Sequence, residues 1–127
     1  MLRAAGGGAI VNIASDWGLV GGRNAVAYCA SKGGVVLMSR AMARDHAPEG
    51  IRINALCPGD VDTPMLSAEA RQRGLTEEEA LAEANADSPS GRVTKAAEVA
   101  DLALFLASDK ALQINGAAYV IDGGATA

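Results

Sequence analysis

Residues 9–15 read AIVNIAS, an apolar run preceded by three glycines and followed by the polar residues of the stretch SDWG. Asn12 alone interrupts the apolar residues before Ser15. Such a nearly continuous run is typical of a strand that is buried on both faces of a parallel sheet. We therefore predict a buried parallel strand at residues 9–15.

The segments that follow alternate between helix and strand. Apolar residues recur at helical spacing through residues 24–46, at Val26, Val35, Val36, Met38 and Met42. Pro48 and Gly50 then stop that helix. The next run, IRINALC at residues 51–57, predicts a second strand, which Pro58 and Gly59 end.

The second half of the chain continues the same alternation. Residues 60–92 are polar and rich in Glu and Ala, which predicts one or two exposed helices. Thr94 is the expected N-cap of a helix that runs to Ala107, and AAYVID at residues 117–122 predicts a third strand. Strands joined through right-handed helical crossovers form a parallel α/β sheet. The predicted fold class is therefore α/β, with three parallel strands and flanking helices.

Composition excludes several classes of function. The chain has 127 residues, enough for one domain at most, and half of them are apolar. A net charge of −4 and a pI near 4.9 argue against nucleic acid or an anionic membrane as a partner. No apolar run approaches a membrane span, so we expect a cytoplasmic protein. The free cysteines, Cys29 and Cys57, are predicted to be buried apolar residues, and no metal ligand set is visible.

Polar residues gather where the predicted strands end. Ser15 and Asp16 follow the first strand, residues 58–63 follow the second, and Asp122 ends the third. Open parallel sheets bind their ligands beyond the carboxyl ends of the strands. We therefore expect the functional site at this edge.

Tyr28 and Lys32 are four residues apart on the predicted helix, so their side chains share one face. A phenol has a pKa of about 10, and a nearby ammonium lowers the pKa by stabilising the phenolate. With the Ser15 hydroxyl at the same point, Tyr28 would bind a carbonyl oxygen and pass it a proton. The alternative is that Tyr28 and Lys32 only pack as helix neighbours, because this spacing alone is a weak signal.

Four stretches of the chain together form a pattern that is specific for one protein family. In chain order they are GGAIVNIASDWG, AYCASKGG, GIRINALCPGDVDTPM and INGAAYVIDGG. The chain resembles the classical short-chain dehydrogenases/reductases over nearly its whole length. The resemblance implies hydride transfer between NAD or NADP and a secondary alcohol or ketone. Tyr28 would be the general acid/base, Lys32 would lower its pKa and hold the nicotinamide ribose, and Ser15 would orient the substrate oxygen.

The resemblance also assigns the surroundings of that centre. Pro58, Gly59, Val61 and Thr63 match the loop that holds the nicotinamide end of the cofactor. Residues 60–92 correspond to the substrate lid, and the intact protein would be a homo-oligomer. Trp17, two residues after Ser15, either lines the substrate pocket or packs under the lid.

The chain departs from the family in its length. It matches only the C-terminal half of a doubly wound NAD(P)-binding fold, so we expect one partial domain over residues 1–127. The Gly-rich phosphate-binding turn follows a strand, whereas the glycines at residues 6–8 precede one. The residues for the adenosine and pyrophosphate are absent, and the isolated chain is expected to bind NAD(P) weakly or not at all.

Two alternatives to a dehydrogenase stay open. The chain could be a non-catalytic interaction subunit or fragment that pairs with full-length relatives. It could also belong to a related epimerase or dehydratase, which uses the same Tyr-x-x-x-Lys pair. The intact set of Ser15, Tyr28 and Lys32 favours an enzyme over a scaffold, and PGDVDTP at residues 58–64 favours the dehydrogenase branch.

Overall fold

The chain forms five strands and four α-helices, and a computed structural model describes all residues, 1–127. The strands are β1 (Gly8–Ile13), β2 (Ile51–Pro58), β3 (Val61–Asp62), β4 (Thr94–Lys95) and β5 (Ala118–Ile121). The helices are α1 (Val26–His46), α2 (Pro64–Gln72), α3 (Glu77–Asp87) and α4 (Ala96–Ala107). None of the helices is both long enough and apolar enough to cross a lipid bilayer.

The main sheet is parallel, in the order β1-β2-β5, which confirms the predicted fold class. β1 is paired with β2 from Gly8 opposite Ile51 to Ile13 opposite Leu56, and its other edge has no neighbouring strand. The central strand β2 is buried along almost its whole length. Even Asn54 is buried, because its side chain donates to the Ile114 carbonyl oxygen at 2.8 Å and accepts from the Ala117 N–H at 3.0 Å.

Helix α1 covers one face of the sheet through Val36, Ser39 and Ala43, which follow one another at helical spacing. Val36 packs with residues of β2 and with Ala14, just beyond β1. Val26 and Met38, which also fit the helical spacing, do not face the core, since 84% of Val26 and 47% of Met38 is exposed. At about 100° per residue, Met38 lies on the opposite side of the helix from Val36.

Two predicted boundaries also differ from the structure. β1 ends at Ile13, because Ser15 caps the 3-10 helix Asp16–Gly18 that follows. Helix α4 begins at Ala96, and Thr94 is not its N-cap, because Thr94 pairs with Val61 in a second sheet of β3 and β4. This two-stranded sheet has no sequence signal, since each strand is only two residues long.

The polar segment after β2 forms the two helices α2 and α3, as predicted. Thr76 caps α3, and its hydroxyl accepts the Glu79 N–H while the Glu79 carboxylate accepts the Thr76 N–H. Only Ala70 of α2 and Ala80 of α3 are buried. This segment therefore lies on the surface, outside the main core.

Candidate active site at the strand ends

The carboxyl ends of β1, β2 and β5 converge on Gly59. A Cβ atom added to Gly59 would lie 2.8 Å from Cβ of Asp122 and 3.3 Å from Oδ2 of Asp16. The distance to Asp122 is shorter than real Cβ atoms show, and the distance to Asp16 is tighter than most Cβ contacts, so a side chain at residue 59 would force Asp122 to shift. The strand ends that the sequence pointed to are therefore in contact with one another.

Gly18 lets the turn after β1 lie directly against α1. A Cβ atom on Gly18 would be 2.8 Å from the Lys32 carbonyl oxygen and 2.9 Å from its carbonyl carbon. On the same side, the Lys32 ammonium donates a hydrogen bond to the carbonyl oxygen of Ile13 at 3.3 Å. Backbone contact and this hydrogen bond together fix α1 against the end of β1.

Tyr28 and Lys32 share one face of α1, as their spacing predicts. The Lys32 ammonium nitrogen lies over the Tyr28 ring, 5.7 Å from its centroid. This is within the range of a cation–π interaction. Tyr28 is 41% exposed, so a substrate can reach it.

Trp17 stands beside Tyr28 with the two rings edge to face, their centroids 6.1 Å apart and their planes at 83°. The indole covers Gly22, where a Cβ atom would be 2.5 Å from the ring. Nearby, the Gly22 N–H donates to the Cys29 sulfur at 3.3 Å. Cys29 is only half-buried, whereas Cys57 is fully buried, so the expectation of two buried thiols is wrong for Cys29.

Ser15 is buried, and its hydrogen bonds stay within the turn. Its hydroxyl donates to Oδ1 of Asp16 at 2.9 Å and accepts the Trp17 N–H at 3.2 Å. Ser15 has no hydrogen bond with Tyr28. Trp17 contacts both residues, since its N–H donates to the Ser15 hydroxyl and its ring packs against the Tyr28 ring. The sequence placed Asp16 at the strand end but did not show its contact with Ser15, which depends on a side-chain rotamer.

The loop after β2 is held by short local contacts. The Thr63 hydroxyl donates to the Val61 carbonyl oxygen at 3.3 Å, and Val61 pairs with Thr94. The Thr94 hydroxyl in turn donates to the carbonyl oxygen of Ile121, in β5, at 3.3 Å. These contacts tie the predicted cofactor loop to the end of the main sheet.

Acidic groups dominate the electrostatics of this edge. Asp60 is an exposed residue, yet partial burial of its carboxyl and the nearby charges of Asp16, Glu69 and Asp87 raise its pKa. Burial raises the pKa of the Cys57 thiol, and the Asp16 charge adds to that rise. Burial opposes ionisation of Asp122, but hydrogen bonds from Thr126 and the Gly124 N–H lower its pKa overall.

No group of three or more His, Cys, Asp or Glu side chains is arranged to hold a metal ion. A wide groove of about 590 Å³ lies at the opposite end of the sheet, beside Ile10, Met42 and His46. None of the predicted site residues lines it, so that groove is separate from the strand-end site.

The chain is similar to known proteins over nearly its whole length. A family model described as enoyl-(acyl carrier protein) reductase matches residues 1–126. Meso-2,3-butanediol dehydrogenase from Serratia marcescens is 47% identical over 123 residues, which are 94% of this chain and 45% of that protein. Cis-4-hydroxycyclohexanecarboxylate dehydrogenase from Sinomonas cyclohexanicum is 43% identical over 126 residues, 99% of this chain and 48% of that protein.

The solved structure of aldohexose dehydrogenase from Thermoplasma acidophilum superposes with a TM-score of 0.88 at 35% sequence identity. The superposition covers 93% of this chain and 48% of that one. The chain belongs to the short-chain dehydrogenase/reductase family. It spans about half the length of the curated relatives it matches.

Proposed function

We propose that this chain carries the proton-transfer centre of an NAD- or NADP-dependent oxidoreductase that interconverts secondary alcohols and ketones. The observation that carries the proposal is the Lys32 ammonium over the Tyr28 ring at 5.7 Å, while the same ammonium is bound to the Ile13 carbonyl oxygen at the end of β1. The family's named dehydrogenases support the reaction type.

In this proposal Tyr28 is the general acid/base. Its phenolate accepts the proton of the substrate alcohol in oxidation, and its hydroxyl returns a proton to the carbonyl oxygen in reduction. The Lys32 ammonium stabilises the phenolate by charge at short range. Ser15 lies at the same edge and orients the substrate oxygen.

The residues present fit the nicotinamide end of the cofactor. Gly59 keeps a side chain out of the strand ends, where an added Cβ atom would meet Asp122 at 2.8 Å. Lys32, bound to the Ile13 carbonyl oxygen, and Thr63, in the loop after β2, supply polar groups at the same edge of the sheet. Pro58 and Val61 complete this loop. When bound, the cofactor would accept or supply the hydride, and the choice between NAD and NADP stays open.

The adenosine and pyrophosphate have no counterpart among these residues. The 3-10 helix after β1 and the turn after β2 lack the Gly-rich spacing that holds a pyrophosphate at a helix N-terminus. We therefore propose that this chain is the C-terminal half of a longer enzyme. We expect that enzyme to act on a small-molecule alcohol or ketone, as a homo-oligomer in the cytoplasm.

Calorimetry tests the cofactor expectation directly. NADH and NADPH titrated into the purified 127-residue chain should give weak binding or none, because most of the contacts to the dinucleotide are missing. Micromolar binding of either cofactor would contradict the proposal that half of the binding site lies elsewhere.

Turnover is tested in a fusion protein that supplies the N-terminal, dinucleotide-binding half of the proposed enzyme. The N-terminal half of the 47% identical butanediol dehydrogenase, joined upstream of residue 1, provides a matched dinucleotide-binding unit. With 2,3-butanediol and cyclohexanol as probes, the fusion should form reduced nicotinamide. If a folded fusion binds cofactor but turns over none of a panel of secondary alcohols and ketones, the proposed reaction is wrong.

An interaction subunit is the second candidate, and the exposed face of α1 favours it. Val26, Leu37 and Met38 are 84%, 65% and 47% exposed, an apolar surface that a partner could cover. This reading predicts stable association with a full-length relative and no turnover. The epimerase or dehydratase alternative predicts turnover with no net change in nicotinamide oxidation state.

A further inference from the structure

The Tyr28 ring is oriented by packing and not by a hydrogen bond of its hydroxyl. That hydroxyl has no hydrogen-bond partner within the chain, and the one side-chain hydrogen bond at this residue runs from the Ser31 hydroxyl to the Tyr28 carbonyl oxygen, at 2.8 Å. Two side chains flank the ring, the Lys32 ammonium at 5.7 Å and the Trp17 indole at 6.1 Å from the ring centroid. A lysine stem is flexible, so the rigid neighbour of the phenol is the indole.

Trp17 is itself held at its backbone and at its ring. Its N–H donates to Oδ1 of Asp16 at 2.7 Å and to the Ser15 hydroxyl oxygen at 3.2 Å. A Cβ atom added to Gly22 would lie 2.5 Å from Cδ2 and Cε3 of the indole and 2.8 Å from Cε2. These three atoms lie at the junction of the two rings, so Gly22 packs against the face of the indole. The position of the indole therefore depends on the absence of a side chain at residue 22.

Gly22 also connects this packing back to helix α1. Its N–H donates to the sulfur of Cys29, the residue after Tyr28, at 3.3 Å. The contacts thus form a closed circuit, in which Trp17 packs on Tyr28, Cys29 binds Gly22, and Gly22 packs on Trp17. The two aromatic rings meet edge to face with their planes at 83°, one of the arrangements that aromatic pairs prefer.

We propose that Trp17 is a positioning residue that holds the Tyr28 phenol in place relative to the turn carrying Ser15, with Gly22 as the surface that supports the indole. The inference rests on the proposed function, since it takes Tyr28 to be the acid/base. In this role Trp17 acts through the Tyr28 ring. A displacement of about 1 Å in a reacting group can cost about 10²-fold in rate, so loss of the indole should lower kcat and leave cofactor affinity nearly unchanged.

NMR of the 127-residue chain tests the geometry without any catalysis. The ring current of the indole should shift the Tyr28 ring resonances, and Trp17 is the only tryptophan of the chain, so Trp17→Ala should remove that shift. Gly22→Ala should displace the indole and change the same resonances, although it alters neither ring. Gly21→Ala is the matched control, because nothing lies within 4 Å of the added Cβ atom. Neither glycine has a positive φ, so the backbone accepts alanine at both positions.

Kinetics in the active fusion test the consequence. Trp17→Ala should lower kcat about ten- to hundredfold and raise the solvent isotope effect on kcat, because a displaced acid/base slows proton transfer relative to the other steps. Trp17→Phe keeps an aromatic ring and should recover most of the lost kcat. Gly22→Ala should lower kcat about tenfold alone and have no further effect in the Trp17→Ala background, because it acts through the indole.

Three results would overturn the inference. Trp17→Ala could leave the Tyr28 resonances and kcat at their wild-type values, it could lower kcat with no change in the solvent isotope effect, or Gly22→Ala could keep its full effect in the Trp17→Ala background. If Trp17→Ala does not fold, Gly22→Ala and Trp17→Phe decide the question with the same readouts. An inactive wild-type fusion would count against the proposed function instead, and the NMR comparison would still decide whether Trp17 positions the Tyr28 ring.

Discussion

The strand-end site and the polar segment of residues 64–92 are held in place by different forces. The site residues lie on α1 and around the ends of β1 and β2, where Gly18 touches the backbone of Lys32 and where Leu56 and Cys57 are fully buried. The polar segment has almost no core, and surface ion pairs connect it: Arg71–Glu77, Arg73–Glu83 and Arg92–Glu98. Exposed ion pairs contribute little stability.

This difference separates two requirements of an enzyme. Proton transfer needs groups fixed to a fraction of an ångström, and close packing supplies that precision. A lid must open and close around a substrate, which favours a segment of low local stability. The buried packing around the strand-end site meets the first requirement, and the weakly packed polar segment would meet the second if it closes over a substrate.

The largest loss of stability is expected from a substitution in the core beneath the site. Leu56→Ala removes a fully buried side chain and should lower the free energy of unfolding by about 2–5 kcal/mol. Met65→Ala on α2, where 70% of the side chain is exposed, should change it by less than about 0.5 kcal/mol. Urea denaturation of both variants measures the difference. Equal losses of unfolding free energy would contradict the contrast between the buried site and the exposed polar segment.

Gly18→Ala should have the next largest effect, about 1–3 kcal/mol, because the new methyl group would meet the Lys32 backbone at 2.8 Å. It should also reduce turnover of the active fusion, since α1 carries Tyr28 and Lys32. Gly21→Ala is the matched control, because nothing lies within 4 Å of the added Cβ atom. If Gly18→Ala is as stable and active as Gly21→Ala, close backbone packing does not position the site.

Loosening the polar segment of residues 64–92 should leave global stability nearly unchanged. The Arg92 side chain and the Lys95 N–H both bind the Glu98 carboxylate and lower its pKa to about 2. The contact therefore contributes stability above the ordinary glutamate pKa and loses it as the pH falls towards about 2. Arg92→Ala should leave the free energy of unfolding nearly unchanged, because the pair is exposed, and still speed proteolysis within residues 64–92. Cleavage at the wild-type rate would show that this ion pair does not hold the polar segment in place.

The smallest change in stability is expected from substitution of Asp60. Its pKa is raised in the folded state by partial burial and neighbouring carboxylates, so its ionised form is destabilising. A raised folded-state pKa means that the favourable contribution is complete below the ordinary aspartate pKa and is lost as the pH rises through the folded-state value. Asp60→Asn should therefore raise the melting temperature slightly at pH 7 and leave it unchanged at pH 3. A lower melting temperature at pH 7 would contradict this.

Local rules accounted for much of the site and the fold. The contact of Lys32 with Tyr28 follows from helical spacing, and the parallel sheet follows from the alternation of strands and crossover helices. The pairing of Val61 with Thr94 was missed because it joins residues far apart in sequence through very short strands. The Ser15–Asp16 hydrogen bond was missed because adjacency in sequence does not fix a side-chain rotamer.

The exposed apolar residues of α1 show another limit of the sequence pattern. Val26 and Met38 fit the helical spacing, yet the buried positions of the helix are those of Val36, Ser39 and Ala43. When a helix has apolar residues on more than one side, its sequence alone does not show which side packs against the sheet. That choice depends on the whole packed structure.

Substitution of the two tyrosines tests the central claim most directly. Tyr28→Phe in the active fusion removes only the proposed acid/base oxygen, and Tyr119→Phe makes the same change at the other tyrosine of the chain, in β5. We expect Tyr28→Phe to lower kcat by a factor of about 10²–10⁴ with cofactor affinity nearly unchanged, and Tyr119→Phe to keep wild-type turnover. Retention of turnover in Tyr28→Phe would contradict the assignment of Tyr28 as the proton-transfer group.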